Sequence, residues 1–168
     1  KAGADVICLL AASHDSTILD AVKSARKYGV KIMIDLIGVS DIIKRAKELE
    51  RLGADYLCIH VGIDEQMHGK NPRHILTLLV KQINLPIAVA GGLNSETVND
   101  MVRIGARIII VGGAITKAKN VSEATKLMKK AITEKKSIKT ELFKKYDKTQ
   151  LYEAFLLVST PNISDAMH

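Results

Sequence analysis

Two glycine pairs are the residues of this sequence whose type and spacing best suit binding chemistry. Gly91-Gly92 follows the apolar run 87–90, and Gly112-Gly113 follows the apolar run 108–111. Glycine loops let backbone N–H groups approach a phosphate closely, and a helix that begins there adds the positive end of its dipole. Each pair also suits a plain strand-to-helix turn. Because both pairs follow consecutive runs at matching depth, the pattern favours a phosphate site at Gly91, Gly92, Gly112 and Gly113.

Three titratable residues lie in or just beyond other apolar runs. His60 could transfer protons near neutral pH, although a lone histidine is often a hydrogen-bonded core residue. Asp35 could be a metal ligand, a base or the partner of a neighbouring side chain. Asp64 could line the same site or belong to a solvated loop. No His, Cys, Asp or Glu cluster in the sequence has the spacing of a metal site.

The elements that would position these residues are five short runs rich in β-branched side chains. Each run is continuous rather than alternating, which is typical of strands covered on both faces. The five predicted strands are residues 6–10, 31–36, 56–61, 87–90 and 108–111. Helical spacing lies between them, in residues 16–28, 40–52 and 94–104, with Asn94 to Glu96 as capping residues of the last.

Glycines recur where a predicted helix gives way to a strand, at positions 3, 29, 53 and 105. A glycine just past a helix can adopt the left-handed conformation that closes the last turn. Strand–helix units of this length predict a parallel sheet with right-handed crossovers. No GxGxxG follows the first strand, as an open doubly wound sheet would often have, and the glycine pairs follow the last two strands.

The sequence therefore predicts the α/β class, with strands four to eight of a (β/α)8 TIM barrel followed by a C-terminal helical tail. Three upstream units would be missing, and the opening Lys1-Ala2-Gly3 is unlike a natural start, so we expect a fragment. With 168 residues and 47% apolar content, the chain can bury a core, and no run is long enough to span a membrane. Cys8 and Cys58 lie in apolar runs, as buried thiols of a cytoplasmic protein would.

Taken together, these motifs resemble the 3-hexulose-6-phosphate synthases of the orotidine monophosphate decarboxylase superfamily. The resemblance covers residues 1–132 and rests most on the segments 60–66 and 111–116. It implies a magnesium-dependent aldol reaction between ribulose 5-phosphate and formaldehyde, running either to fix formaldehyde or to supply pentose phosphate. By resemblance, His60 takes part in proton transfer, and Gly92, Gly112 and Gly113 hold the sugar phosphate.

The same resemblance places the Mg²⁺ ligands, in a DxKxxD motif and further acids, on strands one to three of the barrel. Those strands are not in this sequence, so we expect the chain alone to be inactive. The family also implies a homodimer. A sister family, the 3-keto-L-gulonate 6-phosphate decarboxylases, shares His60 but has arginine where Ile63 and Gly113 stand here. Both differences favour the synthase, and the decarboxylase is the alternative.

Residues beyond 132 form a separate part of the chain. Residues 117–148 hold 11 lysines and four acidic residues, and we interpret 133–148 as a lysine-rich linker. Residues 157–167 resemble the start of the ribonuclease E activity regulator-like family, so 149–168 would begin a second domain. A non-catalytic regulatory module linked to RNA processing is therefore a further alternative. No alternation of basic and aromatic residues supports direct nucleic-acid binding.

Overall fold

Five short parallel strands form a sheet in which each strand lies beside the one that precedes it along the chain. The computed structural model describes residues 3–140. The strands are Val6–Leu10 (β1), Lys31–Asp35 (β2), Tyr56–His60 (β3), Ile87–Ala90 (β4) and Ile108–Ile110 (β5). A doubly wound sheet reverses its strand order, whereas successive units of a (β/α)8 barrel do not. The order β1-β2-β3-β4-β5 confirms the predicted α/β fold of barrel type.

Seven helices are found in residues 3–140. They are Asp15–Tyr28 (α1), Ile42–Leu52 (α2), Ile63–Met67 (α3), Pro72–Leu79 (α4), Val98–Ile104 (α5), Gly113–Thr116 (α6) and Val121–Glu134 (α7). Of the two alternatives left open for Asp64, the loop is replaced by a helix: α3 contains Asp64, which is exposed, and α4 follows it. Asn71 caps α4 by accepting a hydrogen bond from the Arg73 N–H, and Pro72 is suited to the first turn.

The prediction that glycines end the helices is confirmed for α1 and α2. Gly29 and Gly53 have φ values of 70° and 94°, and their N–H groups bond carbonyls of the preceding turn. The predicted start of the third helix is wrong by four residues. The Asn94 side chain accepts bonds from the N–H groups of Glu96 and Thr97, which makes a separate turn, and α5 begins only at Val98.

The main core lies between the helices and one face of the sheet. Ile34, Leu57 and Ile59 from the strands pack there with Leu49 and Leu76 from the helices, all at 1% exposure or less. The opposite face carries a smaller cluster of Met33, Cys58, Ala88 and Ala90. Helices therefore cover one face only, as they do in a barrel, where the second face points inward.

Cys8 departs from the prediction of a buried thiol. It lies exposed on β1, an edge strand whose Val6 and Leu10 are 42% and 53% exposed. Cys58 is buried as predicted, because β3 is in the middle of the sheet. An apolar run therefore indicated the strand correctly but did not show whether the strand lies at the sheet edge.

The last described segment folds back onto the domain after α7. Ser95 donates its hydroxyl to the Ile138 carbonyl at 2.7 Å, and the Ile138 N–H bonds the Ser95 carbonyl at 3.0 Å. The predicted helical tail, the second half of the linker 133–148 and the domain 149–168 lie outside the described residues. Within residues 3–140, no helix has the length and apolar character needed to cross a membrane.

Candidate active site

The carboxyl ends of β2 and β3 bring Asp35 and His60 into contact. His60 Nδ1 lies 2.9 Å from Asp35 Oδ2, and Asp35 Oδ1 accepts the Ile37 N–H at 2.9 Å. The Asp35 side chain is 16% exposed and that of His60 is 36% exposed. With a carboxylate as its partner, Nδ1 carries a proton, so Nε2 is the ring nitrogen that can exchange a proton with a ligand. Of the alternatives left open for Asp35, the geometry favours a partner of the neighbouring side chain.

The two thiols near Asp35 are poor nucleophiles. Burial, reinforced by the negative charge of Asp35, raises the pKa of Cys58 to about 12. Burial and Asp35 also raise the pKa of Cys8 above its ordinary value. Both thiols therefore stay protonated at neutral pH, which leaves Asp35 and His60 as the groups at this end of β2 and β3 that can handle protons.

The first glycine pair makes a close approach to the end of β3. Gly91 and Gly92 have φ values of 98° and 66°, in the region that favours glycine. A Cβ on Gly91 would collide with the Val61 carbonyl oxygen, and one on Gly92 would come within 2.6 Å of Gln66 Oε1. A side chain is thus disfavoured at both positions, at Gly91 by collision with the Val61 backbone and at Gly92 by its positive φ.

The second glycine pair is less constrained. Gly112 precedes α6 with φ −104°, and its carbonyl accepts the Ile115 and Thr116 N–H groups. A Cβ on Gly112 would meet nothing within 4 Å, and one on Gly113 would meet only the Lys117 side chain at ordinary contact distance. Packing therefore gives no reason for glycine at these two positions.

Two cavities adjoin these groups. A cavity of about 610 Å³ is lined by His60, Glu65 and His74 among others, and one of about 340 Å³ is lined by Gln66, Gly91 and Gly92. The loop residues Gly69 to Asn71 line both cavities. Asp64 lines neither of them and is exposed on α3, so the structure does not bring it to His60.

Cations also line the cavity beside the glycine loop. Lys70 Nζ lies 2.8 Å from Glu65 Oε1, and this hydrogen bond holds the pKa of the Glu65 carboxyl below its usual value. Arg73 lies 3.2 Å from Asp100 across the same cavity. Sequence reasoning missed Lys70 and Arg73, because α3 and α4 were not predicted and the positions of these side chains were therefore unknown.

The described residues do not form a magnesium site. No group of three or more His, Cys, Asp or Glu side chains within residues 3–140 is placed to hold a metal ion. Asp35, the best candidate ligand, already uses one oxygen for His60 and the other for the Ile37 N–H. Within residues 3–140, Asp35 and His60 are placed for proton transfer, and Lys70 and Arg73 bring cations to the cavity beside the glycine loop.

Comparison of the sequence with known proteins identifies the family. The model of the orotidine 5'-phosphate decarboxylase / HUMPS family matches residues 1–128. The chain belongs to this family. A 3-hexulose-6-phosphate synthase from Bacillus subtilis is 42% identical over 135 residues, which make up 80% of this chain and 64% of the relative. A synthase from Staphylococcus saprophyticus is 41% identical over 133 residues, or 79% of this chain and 63% of the relative.

Solved structures of related proteins share the fold. The 3-hexulose-6-phosphate synthase of Salmonella typhimurium superposes with a TM-score of 0.75 at 34% identity, covering 79% of this chain and 64% of the other. KGPDC from Streptococcus mutans gives a TM-score of 0.70 at 22% identity, covering 79% of this chain and 63% of the other, and shows the fold alone. The chain spans somewhat less than two thirds of the length of these relatives.

Proposed function

We propose that the protein carrying this chain is an aldehyde-lyase that interconverts ribulose 5-phosphate plus formaldehyde with D-arabino-hex-3-ulose 6-phosphate. The observation that carries the proposal is the Asp35–His60 pair, with Nδ1 held by the carboxylate, beside the Gly91-Gly92 loop. The identity of 42% to a 3-hexulose-6-phosphate synthase supports this reaction in particular.

In this reaction a proton leaves C1 of ribulose 5-phosphate, C1 bonds to the carbon of formaldehyde, and the former aldehyde oxygen takes up a proton. His60 Nε2 gives or takes one of these protons, while Asp35 holds the ring in its orientation and tautomer. The backbone N–H groups at Gly91, Gly92, Gly112 and Gly113 bind the phosphate of the sugar. Asp64 is given no role in this reaction, since it is exposed on α3.

A divalent metal is part of the proposal through the family resemblance only. When bound, Mg²⁺ would polarise the sugar carbonyl and stabilise the enediolate. Because the described residues offer no metal site, its ligands would belong to residues outside 3–140. The homodimer and the cytoplasmic location rest on the same resemblance. Light scattering of the full-length protein at the mass of two subunits would support the dimer, and a monomeric mass would contradict it.

The decisive assay is consumption of formaldehyde by the full-length protein with ribulose 5-phosphate and Mg²⁺. We expect turnover that chelation abolishes and that His60→Ala lowers by about 10²–10⁴-fold, the usual contribution of a general acid or base. His68→Ala is the matched control, because His68 is exposed and lines neither cavity. A folded, metal-loaded protein without turnover would refute the proposal.

Two further measurements separate the alternatives. Release of carbon dioxide from 3-keto-L-gulonate 6-phosphate without formaldehyde turnover would establish the decarboxylase. That outcome is disfavoured here, since the decarboxylase structures are only 21–24% identical to this chain and the synthases 34–36%. RNA affinity that falls steeply with salt, in a protein with no sugar-phosphate affinity, would instead establish the regulatory module.

A further inference from the structure

The side chain of Gln66 connects the end of β3 to the first glycine loop. Gln66 lies in the five-residue helix α3, and its backbone N–H bonds the Gly62 carbonyl at 3.0 Å. Its side-chain Nε2 donates to the Val61 carbonyl at 2.8 Å. Val61 directly follows His60, so the amide is attached to the chain one residue beyond the imidazole.

The other end of the same amide lies against the glycine loop. A Cβ built on Gly92 would come within 2.6 Å of Gln66 Oε1 and 3.1 Å of Cδ. The Val61 carbonyl that accepts the Gln66 bond is also the group that a Cβ on Gly91 would strike. Gln66, Val61 and the two glycines therefore pack as one continuous unit, and the Val61 N–H joins it to β4 through the Ala90 carbonyl at 3.3 Å.

We propose that Gln66 is a positioning residue that sets the separation between His60 and the Gly91-Gly92 loop, and so aligns a bound sugar phosphate with the imidazole. This inference rests on the proposed function, because it takes the loop as the phosphate site and His60 as the proton-transfer group. This role requires an amide at position 66, because Gln66 Nε2 donates to the Val61 carbonyl. A carboxylate would oppose the Val61 carbonyl and place a negative charge beside the phosphate, and an apolar side chain would leave that carbonyl without its donor.

A positioning role predicts a particular division of effects between kcat and binding. In the full-length protein, Gln66→Leu should lower kcat by about 10- to 100-fold, since a misplacement of about 1 Å can cost 10²-fold. Inorganic phosphate contacts the loop alone, so its dissociation constant should stay within about twofold of wild type. Gln66→Glu should in addition weaken phosphate binding, because the introduced charge repels the anion.

The matched control is Gln82→Leu, which removes an exposed glutamine that lines neither cavity. We expect it to leave kcat and phosphate binding unchanged. Two results would overturn the positioning role. One is a kcat for Gln66→Leu equal to that of the control. The other is loss of phosphate affinity in parallel with kcat, which would show that Gln66 only keeps the loop folded.

A double-mutant cycle tests the inference without relying on the synthase reaction. Binding of ribulose 5-phosphate is measured by calorimetry for wild type, Gly92→Ala, Gln66→Ala and the double variant. Because the new methyl group meets Gln66 Oε1, Gly92→Ala should weaken binding about threefold more in wild type than in the Gln66→Ala background. Additive effects would refute the coupling. If binding shows coupling but formaldehyde is not consumed, the proposed function and the positioning role fail together, and only the contact between Gln66 and the sugar-phosphate loop stands.

Discussion

Replacing Asp35 with asparagine exchanges one carboxylate oxygen for an amide NH₂ and removes the charge with almost no change in volume. It should impair the proposed enzyme through His60 alone. The asparagine carbonyl can still accept the Ile37 N–H, so the backbone at the end of β2 keeps its geometry. The amide NH₂ would then face His60 Nδ1, where the carboxylate oxygen now lies at 2.9 Å. A donor at this position favours the tautomer that carries its proton on Nε2, and that nitrogen can no longer accept a proton.

The size of the effect follows from the lost hydrogen bond. A bond between an imidazole and a carboxylate contributes about 1.5–3 kcal/mol, which corresponds to a preference of about 10- to 150-fold for one tautomer. The fall in kcat cannot exceed the full contribution of His60 as a general acid or base, which is about 10²–10⁴-fold. We therefore expect kcat to fall by about 10²-fold, with the KM for ribulose 5-phosphate nearly unchanged, because Asp35 does not contact the glycine loops.

Initial rates of formaldehyde consumption by the full-length protein measure this effect. Asp20→Asn on α1 is the matched control, since Asp20 is 77% exposed and lies away from both cavities. The combination with His60→Ala identifies the cause. If Asp35 acts only by orienting the imidazole, Asp35→Asn should have no further effect in the His60→Ala background. A kcat within about threefold of wild type, or a full additional loss in the double variant, would refute this reasoning and return Asp35 to the role of base or metal ligand.

Three further predictions concern packing, thiol reactivity and pH. Gly91→Ala should lower the free energy of unfolding by at least about 1–3 kcal/mol in urea titrations, and by more than Gly29→Ala. Both positions have positive φ, but only a side chain at Gly91 would also collide with the Val61 carbonyl, so equal losses would contradict the close approach of Gly91 to Val61. In the Cys8→Ser variant, Cys58 should react with a disulfide reagent at pH 8 roughly a thousandfold more slowly in the folded protein than in the urea-unfolded protein, since its pKa of about 12 leaves little thiolate in the folded state. Rapid labelling of the folded variant would be inconsistent with that pKa. Burial opposes ionisation of Asp55, but the Ile32 N–H and the Lys31 ammonium outweigh it and hold the Asp55 pKa below its ordinary value. Its stabilising contribution is therefore present above about pH 4 and lost as pH falls through the folded pKa. Asp55→Asn should cost about 1 kcal/mol or less at pH 7 and progressively less as the pH is lowered below about 4, as compared by urea titrations across that range; a pH-independent difference would contradict the linkage.

The sequence was informative about the strands because their signal is local. Residues 6–10 and 87–90 were predicted with the bounds that the structure has, since a short continuous apolar run indicates a strand whether or not that strand is covered on both faces. The helices α3 and α4 were missed for the converse reason. They have five and eight residues, too few for helical spacing to be distinguished from a loop.

Asp35 and His60 were each found as isolated candidates, but their pairing was not. The pairing depends on register: Asp35 lies opposite Cys58, and His60 lies two residues further along β3. A shift of one residue would turn the imidazole to the other face of the sheet. Sequence spacing alone does not contain the register of parallel strands, so this contact could only come from the structure. The contact between Gln66 and Gly92 was inaccessible for a similar reason, since it depends on a side-chain conformation.

The two glycine pairs look equivalent in sequence, yet they differ in what they require. Gly91 and Gly92 have positive φ values and neighbours within collision distance, so a side chain there would disturb the end of β3 as well as any ligand. Gly112 and Gly113 have neither constraint. Loss of sugar-phosphate affinity in Gly113→Ala would therefore report on the ligand, whereas the same loss in Gly91→Ala would combine binding with folding. If the phosphate is held at both loops, the unconstrained pair is where a substitution measures its contribution directly.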